Sequence, residues 1–344
     1  MSIDSFIAGM PKAELHVHLE GTLEPAMLLQ LAAKNGVELG FETEDDVWAA
    51  QDYPDPALPH FLDYHLKCVR VLQEPADFAA ATKTFIETCA ANNVRHVEIM
   101  FGPMAHTVRG VEFGPMFAAM ERARSDACAD TGVSALWIIC IDREHTAEEA
   151  EAMLDAAEPY RHQITGLGLA SYEEGNPPSK FEDAYRRAKD SGYRLTAHCD
   201  CDQRDSVEHI RQCLDVLGVE RIDHGLHVLD DSGLSERVIA DRIALTMCTT
   251  WRPSDPEPRR LRAVKTMLDA GMLVSLNTDD PSEFASRHMT HMVAAVQRVG
   301  GYSDADMVAF ARNAFVSSWA DRGDVDGWLA DLDAYADSAS SSQS

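Results

Sequence analysis

Short apolar runs alternate along this chain with longer stretches in which apolar residues recur every three or four positions. The runs predict eight strands, at 14–19, 94–101, 133–141, 164–170, 193–199, 221–225, 244–248 and 273–279. Helical periodicity fills most of the gaps, at 24–36, 61–72, 75–92, 111–131, 146–158, 179–191, 205–217, 234–240 and 258–270. In the first of these, Met27, Leu28, Leu29, Leu31 and Ala32 form the apolar stripe and Gly36 is the stop. Between 37 and 59 the chain is polar and carries Pro54, Pro56 and Pro59, which predicts a loop or lid. Further helices are expected from 281 to 335, and a disordered tail at 337–344. Strands alternating with helices imply a parallel sheet. Eight such units in roughly 270 residues fit an α/β fold of the (β/α)8 TIM-barrel type, one domain over 1–336 with extra C-terminal helices. The alternative, an open doubly wound sheet, lacks its Gly-rich turn after the first strand.

Composition narrows the function. A chain of 344 residues with 45% hydrophobic side chains can bury a large core. The formal charge of −27 leaves no basic stripe to neutralise phosphates, which argues against nucleic-acid and anionic-membrane partners. No apolar run is long enough to cross a bilayer, and the first residues lack the pattern of a secretory signal. Eight cysteines without framework spacing read as free thiols in a reducing compartment, so a cytoplasmic protein is expected.

Catalytic chemistry in such barrels sits at the C-terminal ends of the strands. His16 and His18 are two apart on a strand and project from the same face. Strand 5 ends in His198 and strand 8 in Asp279, completing a three-nitrogen, one-oxygen set suited to Zn²⁺ with room for water. No lysine ends strand 4 to bridge a second metal, so one Zn²⁺ per subunit is expected. Metal-activated water would then attack an sp² carbon. His224 and Asp280 remain for proton transfer or substrate contact. Cys199 and Cys201 read as small buried residues rather than ligands.

The motifs PKAELHVHLEGTLEP (11–25), HTVRGVEF (106–113), GNPPSKF (175–181), RIDHG (221–225) and SLNTDDP (275–281) resemble, in order, those of the adenosine/adenine deaminase family of the amidohydrolase superfamily. The resemblance implies a barrel holding one zinc that hydrolyses the exocyclic amine of a 6-aminopurine, a small-molecule substrate; it is compatible with a homo-oligomer. It assigns His16, His18, His198 and Asp279 to the metal, His224 to water activation and Asp280 to purine N7. The segment with Ser171 and Glu173 before Gly175-Asn-Pro-Pro178 resembles the adenine-specific branch, with Glu173 accepting the N–H of a free base. Alternative readings are a nucleoside such as adenosine, an N6-substituted adenine, or a catalytically weak purine-binding relative.

Three departures from the family stand out. Cys248-Thr-Thr-Trp-Arg-Pro253 replaces Cys-Pro-x-Ser-Asn, and Gly102-Pro103-Met104 replaces Asp-Pro-Gln. Cys201 occupies the place of the family's proton-shuttling Glu. A thiol with a pKa of roughly 8.5 is a poor substitute. Asp202, or else Asp200, is expected to take over that role.

Overall fold

Eight parallel strands pair in sequence order, each with the next, in the computed structural model, which describes residues 5–51, 58–199, 204–249 and 259–343. They are β1 (Lys12–His18), β2 (Val94–Phe101), β3 (Ser134–Asp142), β4 (Gly166–Ala170), β5 (Arg194–Cys199), β6 (Arg221–His224), β7 (Ala244–Cys248) and β8 (Leu273–Asn277). Side chains help β8 meet β1. The Leu15 amide donates to Asn277 Oδ1 at 2.8 Å, and the Thr278 amide to Glu14 Oε1 at 3.1 Å. The His18 amide donates to the Asp279 carbonyl at 2.8 Å, and the Asp279 amide to that of His16 at 3.2 Å. The barrel is thereby closed beside three candidate ligands, His16, His18 and Asp279.

The helices are α1 (Ser5–Gly9), α2 (Pro25–Asn35), α3 (Glu44–Ala50), α4 (Leu58–Cys68), α5 (Pro75–Ala91), α6 (Met104–Thr107), α7 (Phe113–Thr131), α8 (Ala147–Ala157), α9 (Glu182–Asp190), α10 (Ser206–Gln212), α11 (Ser232–Ala240), α12 (Arg259–Asp269), α13 (Met289–Gly300), α14 (Asp304–Ser317) and α15 (Arg322–Gln343). Local signals set their ends. Thr146 opens α8 with a capping box to Glu149, and Gly36 ends α2 at φ 64°. None is long and apolar enough to cross a membrane among the described residues.

Two expectations need correcting. The polar stretch 37–59 contains α3, capped by Thr43 and Asp46, and the start of α4; residues 52–57 lie outside the described ones. Residues 337–343, expected to be disordered, continue α15. That helix docks on α1, where the Tyr335 hydroxyl donates to the Phe6 carbonyl at 2.9 Å and its ring lies 5.5 Å from that of Phe6.

Inside the barrel, Met100, Ile138, Cys140 and Ala170 pack together, with Trp319 against them. Nearby is a buried polar chain. Arg221 donates to Glu98 at 2.6 Å and lies 4.1 Å over the Trp319 ring, whose backbone N–H also donates to Glu98, at 2.5 Å. Asp223 accepts from Thr196 at 2.7 Å and Thr246 at 2.8 Å. Glu98→Ala leaves the buried Arg221 guanidinium with only the longer 3.8 Å contact to Asp223 and is expected to cost about 3–5 kcal/mol in urea unfolding. A loss below about 1 kcal/mol would show the pair dispensable to folding.

Candidate active site

His16 is wholly buried, and its ring Nδ1 lies 3.2 Å from Thr246 Oγ1 and 3.3 Å from the Thr246 carbonyl. The Thr246 hydroxyl is spent as donor to Asp223, so it accepts the Nδ1–H, leaving a lone pair on Nε2. That Nε2 has no hydrogen-bond partner and faces Asp279 Oδ1 at 3.1 Å. His18 Nε2 lies 3.1 Å from His198 Nε2 and 3.6 Å from Asp279 Oδ1. Ligand atoms of His16, His18, His198 and Asp279 all fall within 4.8 Å of one another. An orphaned buried lone pair facing a carboxylate is unfavourable without a cation between them. The donor set fits a divalent metal of borderline-soft preference, and His198 has Asp223 3.6 Å behind it on Nδ1.

The backbone spends strain to aim these groups. Ser171, His224 and Asp279, at the ends of β4, β6 and β8, have φ of 75°, 66° and 66°. Non-glycine residues rarely adopt this left-handed region, and such strain gathers at functional sites. Gly21 has a different reason to be glycine: a Cβ there would collide with the Asp280 carboxylate.

His224 Nε2 lies 3.8 Å from Asp279 Oδ2. Burial holds the His224 imidazole well below its usual range, so it is neutral at pH 7 and has a lone pair to offer. Asp280 is buried with no hydrogen bond to Oδ1, and burial, then the neighbouring Asp279 charge, pushes its carboxyl well above the usual range.

Beside Asp280, His65 of α4 lies 3.1 Å from Glu283 and 3.7 Å from Asp280. Burial alone would lower its pKa, but Glu283, Asp280 and Glu20 together push it up to about 10. A group raised in the folded state stabilises below its unfolded value, here near 6.5, and that contribution fades as pH rises through about 10. The melting-temperature advantage of the parent over His65→Gln should therefore shrink between pH 7 and 10. An advantage constant over that range would refute the charged assignment.

The remaining expected residues fare differently. The Ser171 hydroxyl donates to Glu144 at 2.6 Å. Glu173 is wholly buried, 2.8 Å from His209 Nδ1 and 3.9 Å from the Arg143 guanidinium. Its carboxylate is thus held by His209 and Arg143, and the contact to a free base expected of it is a matter for substrate measurements. Asp200 and Asp202 lie outside the described residues. Sequence reading missed Glu20, which accepts from the Gly102 amide at 2.9 Å and lies 3.2 Å from His106 Nε2, and Asp142. A signal for Asp142 existed. It stands two residues after Cys140, so a strand one residue longer than predicted turns it inward.

The profile of the adenosine deaminase family matches residues 11–334. The chain is 39% identical over 334 residues to an adenine deaminase of Sphingopyxis alaskensis, covering 96% of each. It superposes on the crystal structure of adenine deaminase from Arthrobacter aurescens with a TM-score of 0.88 at 34% identity, covering 96% of this chain and 100% of that one. An amidohydrolase from Burkhoderia ambifaria, with bound Zn, gives 0.85 at 27% identity, covering 99% and 96%.

Proposed function

Since the chain belongs to the adenosine deaminase family, we propose that it is a zinc-dependent hydrolase converting adenine, or a closely related free 6-aminopurine, to the 6-oxopurine and ammonia. The observation that carries the reading is the pairing of two buried atoms without a hydrogen bond: His16 Nε2 within the four-residue donor set and Asp280 Oδ1 beside it. The first wants a cation, the second a hydrogen-bonding ring nitrogen. Zinc is supported by the three-histidine, one-carboxylate chemistry and by the zinc in the Burkhoderia protein. The free base is supported by the adenine deaminases among its relatives.

When bound, the cation acts as a Lewis acid that makes water acidic near neutral pH. His224, neutral and beside Asp279, takes the proton of the water that adds to C6. Asp280 holds the base through N7, with Gly21 giving its carboxylate room. Asp202 or Asp200 protonates ring nitrogen N1, replacing the family's Glu; the proton held by His224 then passes to the amino nitrogen, the added hydroxyl returns a proton to the aspartate as C6=O forms, and the C6–N bond breaks to release ammonia. Arg143 and Lys180 brace the mouth from behind: Arg143 donates to the His198 carbonyl at 3.0 Å, and Lys180 to the Arg143 carbonyl at 2.9 Å.

The test is ammonia release by the zinc-loaded protein from adenine, N6-alkyladenines, adenosine and cytosine. Adenine or an N6-alkyladenine should be the best substrate. Preference for adenosine would move the assignment to the nucleoside, and no ammonia from any aminopurine would defeat the reading.

A further inference from the structure

Asp142 ends β3, two positions beyond the inward-facing Cys140 and four beyond Ile138, so its carboxyl points into the mouth that holds His18, His198 and Asp279. It is partly exposed there and accepts from the Ala105 backbone N–H, which leaves further acceptor sites on its two oxygens, whereas Glu20 and Glu173 are buried. Room has been left for it. Position 102, after β2, is glycine, and a Cβ at that point would stand 3.2 Å from Asp142 Oδ1 and 3.7 Å from Glu20 Oε1. Burial, then the nearby charges of Glu144 and Glu20, raise the Asp142 carboxyl to about 7, so it is present in both proton states near neutrality.

The strand order gives this carboxyl an orientation toward the substrate. The cation set comes from β1, β5 and the end of β8, and Asp280 follows β8. In the ring of eight, β3 stands midway between β1 and β5, on the side away from β7. A purine with C6 at the cation set and N7 at Asp280 turns its far edge, N3 and N9, toward β3. We propose that Asp142 is a specificity-determining residue that binds this N3/N9 edge and selects the free base over 9-substituted purines. Its carbonyl oxygen accepts the N9–H, and its O–H, when protonated, donates to N3. A nucleoside has no N9–H and sets its sugar against the carboxyl. A site built to pair with an N–H discriminates strongly against an analogue lacking it, because the acceptor is left unpaired.

This inference rests on the purine-deaminase reading, so the test separates the two. Steady-state deamination of adenine and 9-methyladenine is compared in the parent, Asp142→Leu and Asp142→Asn, and calorimetry measures binding of hypoxanthine and 9-methylhypoxanthine to the same proteins. Asp142→Leu should lose roughly 10–100-fold in kcat/KM on adenine, mainly through KM, and change about threefold or less on 9-methyladenine. Asp142→Asn keeps one donor and one acceptor in the same shape, and should stay within about fivefold of the parent on adenine. Equal losses on both substrates, no loss on either, or an Asn variant as impaired as the Leu variant would overturn the assignment. If the parent releases no ammonia, the functional reading has failed and binding alone decides. Hypoxanthine should then bind Asp142→Leu at least about tenfold more weakly than the parent, with 9-methylhypoxanthine unaffected, and equal affinities would overturn the inference.

Discussion

Asp279→Ala, and equally His16→Ala, should strip the protein of zinc and reduce turnover to background. Each contributes an atom to the cluster within 4.8 Å, and neither has a neighbour in that cluster able to replace it. Removing His16 also frees the Thr246 hydroxyl and carbonyl that orient its ring. Removing Asp279 deletes the only carboxylate of the set and with it most of the charge attraction for the cation. The measurement is zinc per chain by elemental analysis beside ammonia release. Both variants should hold less than about one-tenth equivalent. A second readout is independent of activity. A chelator should lower the melting temperature of the parent, since a ligand bound only to the folded state stabilises it, and leave either variant nearly unmoved. Full zinc occupancy in either variant would break the ligand assignment.

His224→Asn should behave in the opposite way with respect to metal: zinc retained, kcat reduced by about 10²–10⁴-fold, the usual worth of a proton-transfer group. Asparagine is chosen because His224 sits at φ 66°, a conformation that asparagine tolerates better than most residues. The substitution thus removes the imidazole without refolding the end of β6. A drop of less than tenfold with zinc in place would remove His224 from proton transfer, and loss of zinc would make it a ligand.

Much of this architecture was legible because buried parallel strands are dense apolar runs bounded by turns, and each brings a polar residue to its C-terminal end. His16, His18, His198 and Asp279 could be found for that reason, and the structure gathers all four. What escaped depends on partners remote in sequence. Nothing local reveals that Glu173 meets His209 and Arg143. His65 lies in a helix whose apolar period gives no hint that Glu283, 218 positions on, will hold it charged. The helix Glu44–Ala50 is short and acidic and has no long apolar stripe; only the pairing of Thr43 with Asp46 marked its start. The polar tail folds into α15 because Tyr335 docks on the first helix, a tertiary contact that overrides composition.

The left-handed residues at the ends of β4, β6 and β8 set stability against activity. Backbone strain of this kind costs on the order of 1–3 kcal/mol per residue, and glycine would relieve it at each place. Total fold stability is only about 5–15 kcal/mol, so a variant with glycine at 171, 224 and 279 could gain a sizeable fraction of it. Such a variant would lack both the His224 imidazole and the Asp279 carboxylate on which the proposed chemistry depends. Selection or redesign for thermal stability alone therefore drifts toward a sturdier barrel without catalysis, and engineering of this enzyme should hold these three positions fixed while optimising elsewhere.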